Sequence, residues 1–229
     1  MATEKKFIIA IGIITLALVI GASFIFGKQK PEQTQNSTDK VDEAQLLKDA
    51  KNAKGDPNAP VRIVEFGDFQ CPACAAAYPI TKATVAKNSS KVYMVFRHFP
   101  LSVHPNSQIA AKASEAAALQ GKFWEMHDIL YEKQNDWATS QNPKELFDQY
   151  AESIGLDVKK FDEDLDSVTG QVNSDYSLGN TVGVSSTPTF FVNGQKYPGV
   201  VTEQQFQQII DSITQSAPQE ASTSESPAQ

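Results

Sequence analysis

The chain has 229 residues, room for one ordinary globular domain with attachments, and 41% hydrophobic against 21% charged residues marks it as a folding sequence rather than a disordered one. Its 20 basic and 27 acidic residues give a formal charge of −7, which offers no basic stripe to a phosphate backbone and excludes nucleic acid as a partner. Only two cysteines occur, Cys71 and Cys74, too few for a disulfide-built scaffold and half of a four-ligand zinc site, so the pair reads as working thiols.

Residues Phe7 to Phe26 form an uncharged, apolar run flanked by Lys5, Lys6, Lys28 and Lys30. At ~1.5 Å per residue it matches a hydrocarbon core of roughly 30 Å. The alternative is a cleaved secretory signal, with Gly21, Ala22 and Ser23 near the cut. Apolar Phe24, Ile25 and Phe26 continue past that point, so a retained signal-anchor is expected, with residues 1–6 as a cytoplasmic tail. Residues 27–54 are polar and lack aromatic side chains, and they read as a flexible linker with a short weak helix around Val41–Lys51. The tail from Gln215 to Gln229 has no large apolar residue and is expected to be disordered. Between these lies one domain, residues 55–214.

Within the domain, Val61–Phe66 is a β-rich run, followed by the cysteines and a helix to about Asn88. Val92–Phe96 is a second strand of the same type. Helical spacing then fills His104–Leu119 and Lys122–Lys133. Asn142, Pro143 and Glu145 form a capping-box start, with Leu146, Phe147, Tyr150 and Ile154 on the buried face and Gly155 at the stop. Val158–Leu165 and Val172–Val182 complete the helical block. Strand character returns at Thr189–Val192, and Asn193-Gly194 turns the chain into Gln195–Tyr197. Thr202 with Gln205 starts a last helix, with Phe206, Ile209, Ile210 and Ile213 inward. The order predicts an α/β core interrupted by an all-helical insertion over about residues 104–182.

A bare C-x-x-C is a redox pair, half a metal site or two buried thiols. Here Cys71 follows a strand and opens a helix, where unpaired N–H groups and the positive dipole end favour a thiolate. Pro72 fits the first helical turn without loss of a hydrogen bond. Thr187-Pro188-Thr189 precedes the strand TFFV; such a proline is a simple loop terminator unless it faces the cysteines as a cis-proline loop. There, the Thr187 backbone would pair with an extended substrate. Glu65 is out of place in the middle of an apolar strand, unless it faces solvent from a sheet edge. His98, His104 and His127 are scattered, and each is expected to be structural, as are Trp124 and Trp137 as core aromatics.

The runs GDPNAPVRIVEFGDFQCPAC, VFRHFPLSVHPNS and STPTFFVNG, in this order, resemble the DsbA-like thiol:disulfide oxidoreductases of the thioredoxin superfamily. The resemblance implies a thioredoxin-like fold and an enzyme that passes a disulfide to exported proteins. Cys71 would be the attacking cysteine and Cys74 the buried resolving one, with Pro72 between them. Pro188 would be the cis-proline, Thr187 its substrate-contacting neighbour, and Glu65 the buried acid. It further implies no cofactor beyond the Cys71–Cys74 disulfide, no metal, a monomer, an extracytoplasmic domain and a membrane quinone-linked reoxidising partner. One departure stands out: Ala73 occupies the position where the strongly oxidising relatives carry histidine. A reductase and a soft-metal carrier are the rival readings, the second weakened because no histidine has ligand-like spacing from the cysteines.

Overall fold

Two strands with almost every residue buried form the centre of the sheet: β2 (Val61–Gly67) and β3 (Val92–His98). They pair in parallel from Val61↔Val92 to Gly67↔His98. Such a pair, covered on both faces, needs a crossover, and this is supplied by the helix carrying the cysteines, Pro72–Lys87. The computed structural model describes residues 40–216. The expected cytoplasmic tail, the apolar run Phe7–Phe26, the start of the linker and nearly all of the C-terminal tail lie outside the described residues. Among the described residues, no helix is long and apolar enough to cross a membrane.

The remaining elements follow in chain order: α1 (Glu43–Leu47) and β1 (Ala53–Lys54) precede β2, and α2 is Pro72–Lys87. After β3 come α3 (Ser107–Ala118), α4 (Phe123–Glu132), α5 (Gln134–Trp137), α6 (Pro143–Ser153), α7 (Val158–Ser167) and α8 (Thr169–Thr181). Then β4 (Thr189–Val192), β5 (Gln195–Pro198) and α9 (Glu203–Ser216) close the fold. The strand order is β1-β3-β2-β4-β5, with β2–β3 parallel and the other neighbours antiparallel. The expected α/β arrangement with an all-helical insertion is therefore present.

Strand alternation sorts the core into two layers. Val61, Ile63, Met94, Phe190 and Val192 pack with Ala77 and Val85 of α2 and with Phe206 and Ile210 of α9. Val64, Phe66, Val95 and Phe191 pack on the opposite face with Leu46, Val182 and Val184. The insertion has its own core, in which the small residues Ala110, Ala113, Ala116 and Ala117 of α3 admit Phe147, Phe161 and Trp137. That core is continuous with Phe69, Cys71, Cys74 and Tyr78, so the insertion forms one wall of the cysteine site. Arg97 ties the parts together: its guanidinium meets Asp175 of α8 at 2.8 Å and donates to the carbonyls of Leu46 and Lys48 at 3.0 and 2.5 Å.

Three expectations need correction. The flexible linker over residues 27–54 does not extend to Lys54, because residues from Lys40 onward belong to the domain. Lys40 bridges to Gln195, Val41 N–H donates to Gly194 O at 2.9 Å, Leu46 is fully buried, and Ala53 pairs with Val95. The polar composition concealed a single apolar anchor and a main-chain pairing that composition does not report. Asn142 provides no side-chain cap for α6; its own N–H instead donates to the Ser140 hydroxyl at 3.1 Å. The helix expected from His104 begins only at Ser107, since Asp68 captures both the Leu101 N–H and the His104 ring. By contrast, the Thr202 and Gln205 box forms reciprocally, and Asn193 (φ 45°) with Gly194 (φ 81°) makes the tight hairpin.

Leu46→Ala tests whether the segment before β1 is part of the fold. It should cost about 2–5 kcal/mol in urea unfolding, the range for a buried leucine, whereas a residue in a flexible linker would cost nothing measurable.

Candidate active site

The route from β2 to α2 is a four-residue loop, and its geometry is fixed by Asp68. The buried Asp68 carboxylate accepts from Gln70 N–H at 2.8 Å, from Leu101 N–H at 3.0 Å and bonds His104 Nδ1 at 2.7 Å, while its carbonyl accepts from Cys71 N–H at 3.1 Å. Cys71 becomes the N-cap residue of α2, in an extended conformation, with Pro72 at the first helical position. The insertion holds this turn from the other side: the Gln134 amide donates to Phe69 O at 2.7 Å and to Cys71 O at 3.1 Å. Gln70 and Asn106 bond to one another at 2.6 Å, and both reach the carbonyl of Ala138. Asp68, Gln70, Asn106 and Gln134 were not singled out from the sequence. Their signal was weak: polar residues in the loop after a buried strand, with partners 33 to 68 residues away in sequence.

Both cysteines are free thiols, and their environments drive them apart. The Cys71 thiol is lowered to about 5, first by a hydrogen bond from Cys74, against the opposing effect of burial, then by the Thr187 hydroxyl and the Cys74 and Ala73 amides. Cys74 has no exposed surface, and burial followed by the Cys71 sulfur pushes its thiol well above the ordinary range. At neutral pH Cys71 is therefore a thiolate and Cys74 a thiol. That makes the first sulfur the stronger nucleophile of the two.

The bond between Thr187 and Pro188 is cis, which brings the Thr187 carbonyl 3.4 Å from Cys71 Sγ. Thr187 is almost completely buried, and its side chain is among the groups that lower the Cys71 thiol. Glu65 lies on the β2 face that turns toward α2, paired in register with Phe96 and Phe190. It is not on a solvent edge: 2% of its surface is exposed, and burial raises its carboxyl to about 8, opposed by Lys54. The fold thus brings Cys71, Cys74, Pro72, Thr187, Pro188 and Glu65 into one site. Tyr131 joins them beneath Cys74, and Gly67 is what lets it close: a Cβ there would stand 2.5 Å from the Phe96 ring and 3.0 Å from the Tyr131 hydroxyl.

The histidines are paired with acids: His98 with Glu115, His104 with Asp68 and His127 with Asp128. Trp137 is a core residue as expected, but Trp124 is only partly buried, donating to Ala53 O at 3.3 Å beneath the Lys54 ammonium.

Two measurements probe this electrostatic arrangement. Ultraviolet thiolate titration should find Cys71 ionising near 5, and Cys74→Ala should raise that value while Cys74→Ser, which keeps a donor, should raise it less. Equal shifts in the two variants would mean that the Cys74 hydrogen bond is not the main stabiliser. Stability of the reduced protein should show two opposed slopes. Glu65, raised from 4.5 to about 8, contributes stability below its unfolded value that is lost as pH rises through 8. Cys71, lowered from 9.0 to about 5, contributes stability above its unfolded value that is lost as pH falls through 5. Hence Cys71→Ser should lose melting temperature between pH 5 and 8, and Glu65→Gln should gain it between pH 5 and 9, as read by calorimetry.

The geometry has known counterparts. The family model described as thioredoxin matches residues 25–212. A thioredoxin-like oxidoreductase from Silicibacter pomeroyi superposes with a TM-score of 0.67 at 27% identity, covering 77% of this chain and 100% of that one. Oxidised BdbD from Bacillus subtilis gives 0.65 at 27% identity, covering 74% and 95%. The thiol-disulfide exchange protein α-DsbA2 from Wolbachia pipientis, at 20% identity and a TM-score of 0.66 over 74% and 90%, shares the fold. Among curated proteins, the Na(+)/H(+) antiporter NhaA 3 of Salinispora tropica is 42% identical over 154 residues, 66% of this chain and 23% of the antiporter. The chain thus spans about a quarter of the length of the curated relatives it matches. With most of its length accounted for by one family, the chain belongs to the thioredoxin family, and its described domain carries the DsbA-like form of that fold.

Proposed function

We propose that this protein is a thiol:disulfide oxidoreductase that introduces disulfide bonds into exported proteins through Cys71–Cys74. The observation that carries this reading is the division of the two sulfurs: a thiolate at the helix start beside the cis-Pro188 loop, and a buried thiol behind it. A substrate thiolate attacks Cys71 Sγ of the oxidised enzyme, and the bond to Cys74 breaks with its electron pair leaving on Cys74. A second substrate thiolate attacks the substrate sulfur of the mixed disulfide, and Cys71 leaves as the thiolate. Two electrons have passed to the enzyme, and Cys74 has taken one proton.

Thr187 and Pro188 form the edge on which the substrate's extended backbone docks, and Glu65 exchanges the Cys74 proton. Pro72 keeps the first turn free of a wasted donor. The redox-active disulfide serves in place of a cofactor, and no metal takes part. The domain acts as a monomer outside the cytoplasm, tethered by residues 7–26 and reoxidised by a membrane quinone-linked partner. An oxidising compartment is what such a disulfide requires.

Direction is decided by how much the reduced form is stabilised. A thiolate near 5 stabilises it, so the disulfide is oxidising, but Ala73 withholds the charge that a histidine would add at that position. Equilibration of the soluble domain with glutathione should give a potential well above roughly −270 mV, and Ala73→His should raise it further. A wild-type value at that level would make the protein a reductase and end the proposal.

A further inference from the structure

Glu65 cannot accept the Cys74 proton at neutral pH until it has lost its own, because its carboxyl is held protonated. A cavity with about 10 Å³ of free space, room for a single water, is bordered by Glu65, Lys54, Thr81, Trp124, His127 and Asp128. His127 borders the same cavity as Glu65 and takes no part in the cysteine chemistry proposed above.

The placement of His127 is costly for a purely structural side chain. Its ring is 5% exposed and enclosed edgewise by Trp124 and Phe96 at 5.0 Å, Tyr131 at 5.1 Å, Phe69 at 5.6 Å and Tyr78 at 5.7 Å. Among the described residues, one ring nitrogen is bonded to protein: Nδ1 meets Asp128 Oδ1 at 2.9 Å. Asp128 Oδ2 meets Lys82 Nζ at 2.8 Å, and that ammonium also reaches Glu132 at 3.3 Å on the surface. Asp128 is itself a quarter exposed. A row of groups therefore leads from the cavity to water along α4 and α2.

The protonation states fit a relay. Burial would raise the Asp128 carboxyl, but His127 and Lys82 hold it down at about 2, so it is a carboxylate and accepts the Nδ1 hydrogen. Burial lowers the His127 imidazole, which Asp128 opposes and Lys54 and His98 reinforce, so the ring is neutral and Nε2 keeps its lone pair. The other charged or titratable groups facing this space are Lys82 and Tyr78 of α2 and Tyr131 of α4.

We propose that His127, oriented by Asp128, is the proton relay between the buried Glu65 carboxyl and solvent. The proposal rests on the thiol:disulfide reading of the site. On reoxidation through a Cys71–glutathione mixed disulfide, Glu65 passes its proton by way of a water to His127 Nε2. The Nδ1 proton leaves along the Asp128 carboxylate to bulk water. The Glu65 carboxylate then takes the Cys74 proton. The Cys74 sulfur pair forms the bond to Cys71, and the broken bond's pair departs on the glutathione sulfur. On reduction of the disulfide by substrate, one proton travels the same path inward.

The experiment is stopped-flow oxidation of the reduced full-length protein by oxidised glutathione across pH 5 to 9. His127→Phe, which keeps an aromatic ring in the cage, should slow closure of the Cys71–Cys74 disulfide by roughly tenfold or more near pH 7. It should leave the Cys71 ionisation and the glutathione equilibrium unchanged. The loss should shrink above pH 8, where Glu65 is already ionised. His127→Ala should be restored by added imidazole, and His127→Phe placed on Glu65→Gln should add no further loss. A wild-type closure rate in His127→Phe overturns the relay. So does a slowing that is constant with pH and is not rescued by imidazole in His127→Ala, since that marks a packing role. Failure of the wild-type protein to exchange with glutathione at all would instead overturn the underlying thiol:disulfide reading.

Discussion

An ionised sulfur held almost out of contact with water is the constraint on which this site depends. Cys71 is 7% exposed, yet its thiol is lowered to about 5. Burial alone would move it the other way, so donors must converge on it: the Cys74 thiol, the Thr187 hydroxyl and the first amides of α2. None of these is worth much if it is displaced. The four-residue loop locked by Asp68, the Gln134 amide on the Cys71 carbonyl and the cis-Pro188 loop all hold donors and sulfur in register. The helical insertion is therefore part of the cysteine site, since Gln134 and much of the aromatic cage are drawn from it.

The same arrangement sets the behaviour of the second sulfur. Cys74 is buried against Tyr131 and above Glu65, where a thiolate would be costly, so it remains protonated until its proton has somewhere to go. A carboxyl raised to about 8 is matched to exchanging that proton near neutrality, and it must itself be connected to water. The cavity on the α2 and α4 side is where the proposed connection runs. The proposed attack, resolution and proton exit would thus fall to three different surfaces around one pair of sulfurs.

Much of this was legible in the sequence because its signals are local. The short β-rich apolar runs Val61–Phe66 and Val92–Phe96, the helix start at Cys71, the Asn193-Gly194 hairpin and the Thr202 box each depend on neighbours within a few residues. The chain shows them as expected. Where the sequence reading failed, a distant group had overridden a local preference. Asp68 took the residues that would have begun α3. A single Leu46, together with the Arg97 bonds to the carbonyls around it, drew an apparently flexible segment into the sheet.

The sequence by itself determined the order of elements, the acidic balance of charge and the place of Cys71 at a helix start, since composition and local order are properties of the chain read in order. Only the tertiary structure decided the environments. It buried Glu65 instead of leaving it on an edge, set the Thr187 carbonyl against Cys71 across 116 residues, and put His127 in a cage beside the Glu65 cavity. The physical reason is that desolvation and hydrogen bonding to a charge depend on every group within a few ångströms. In this fold most of those groups come from other elements.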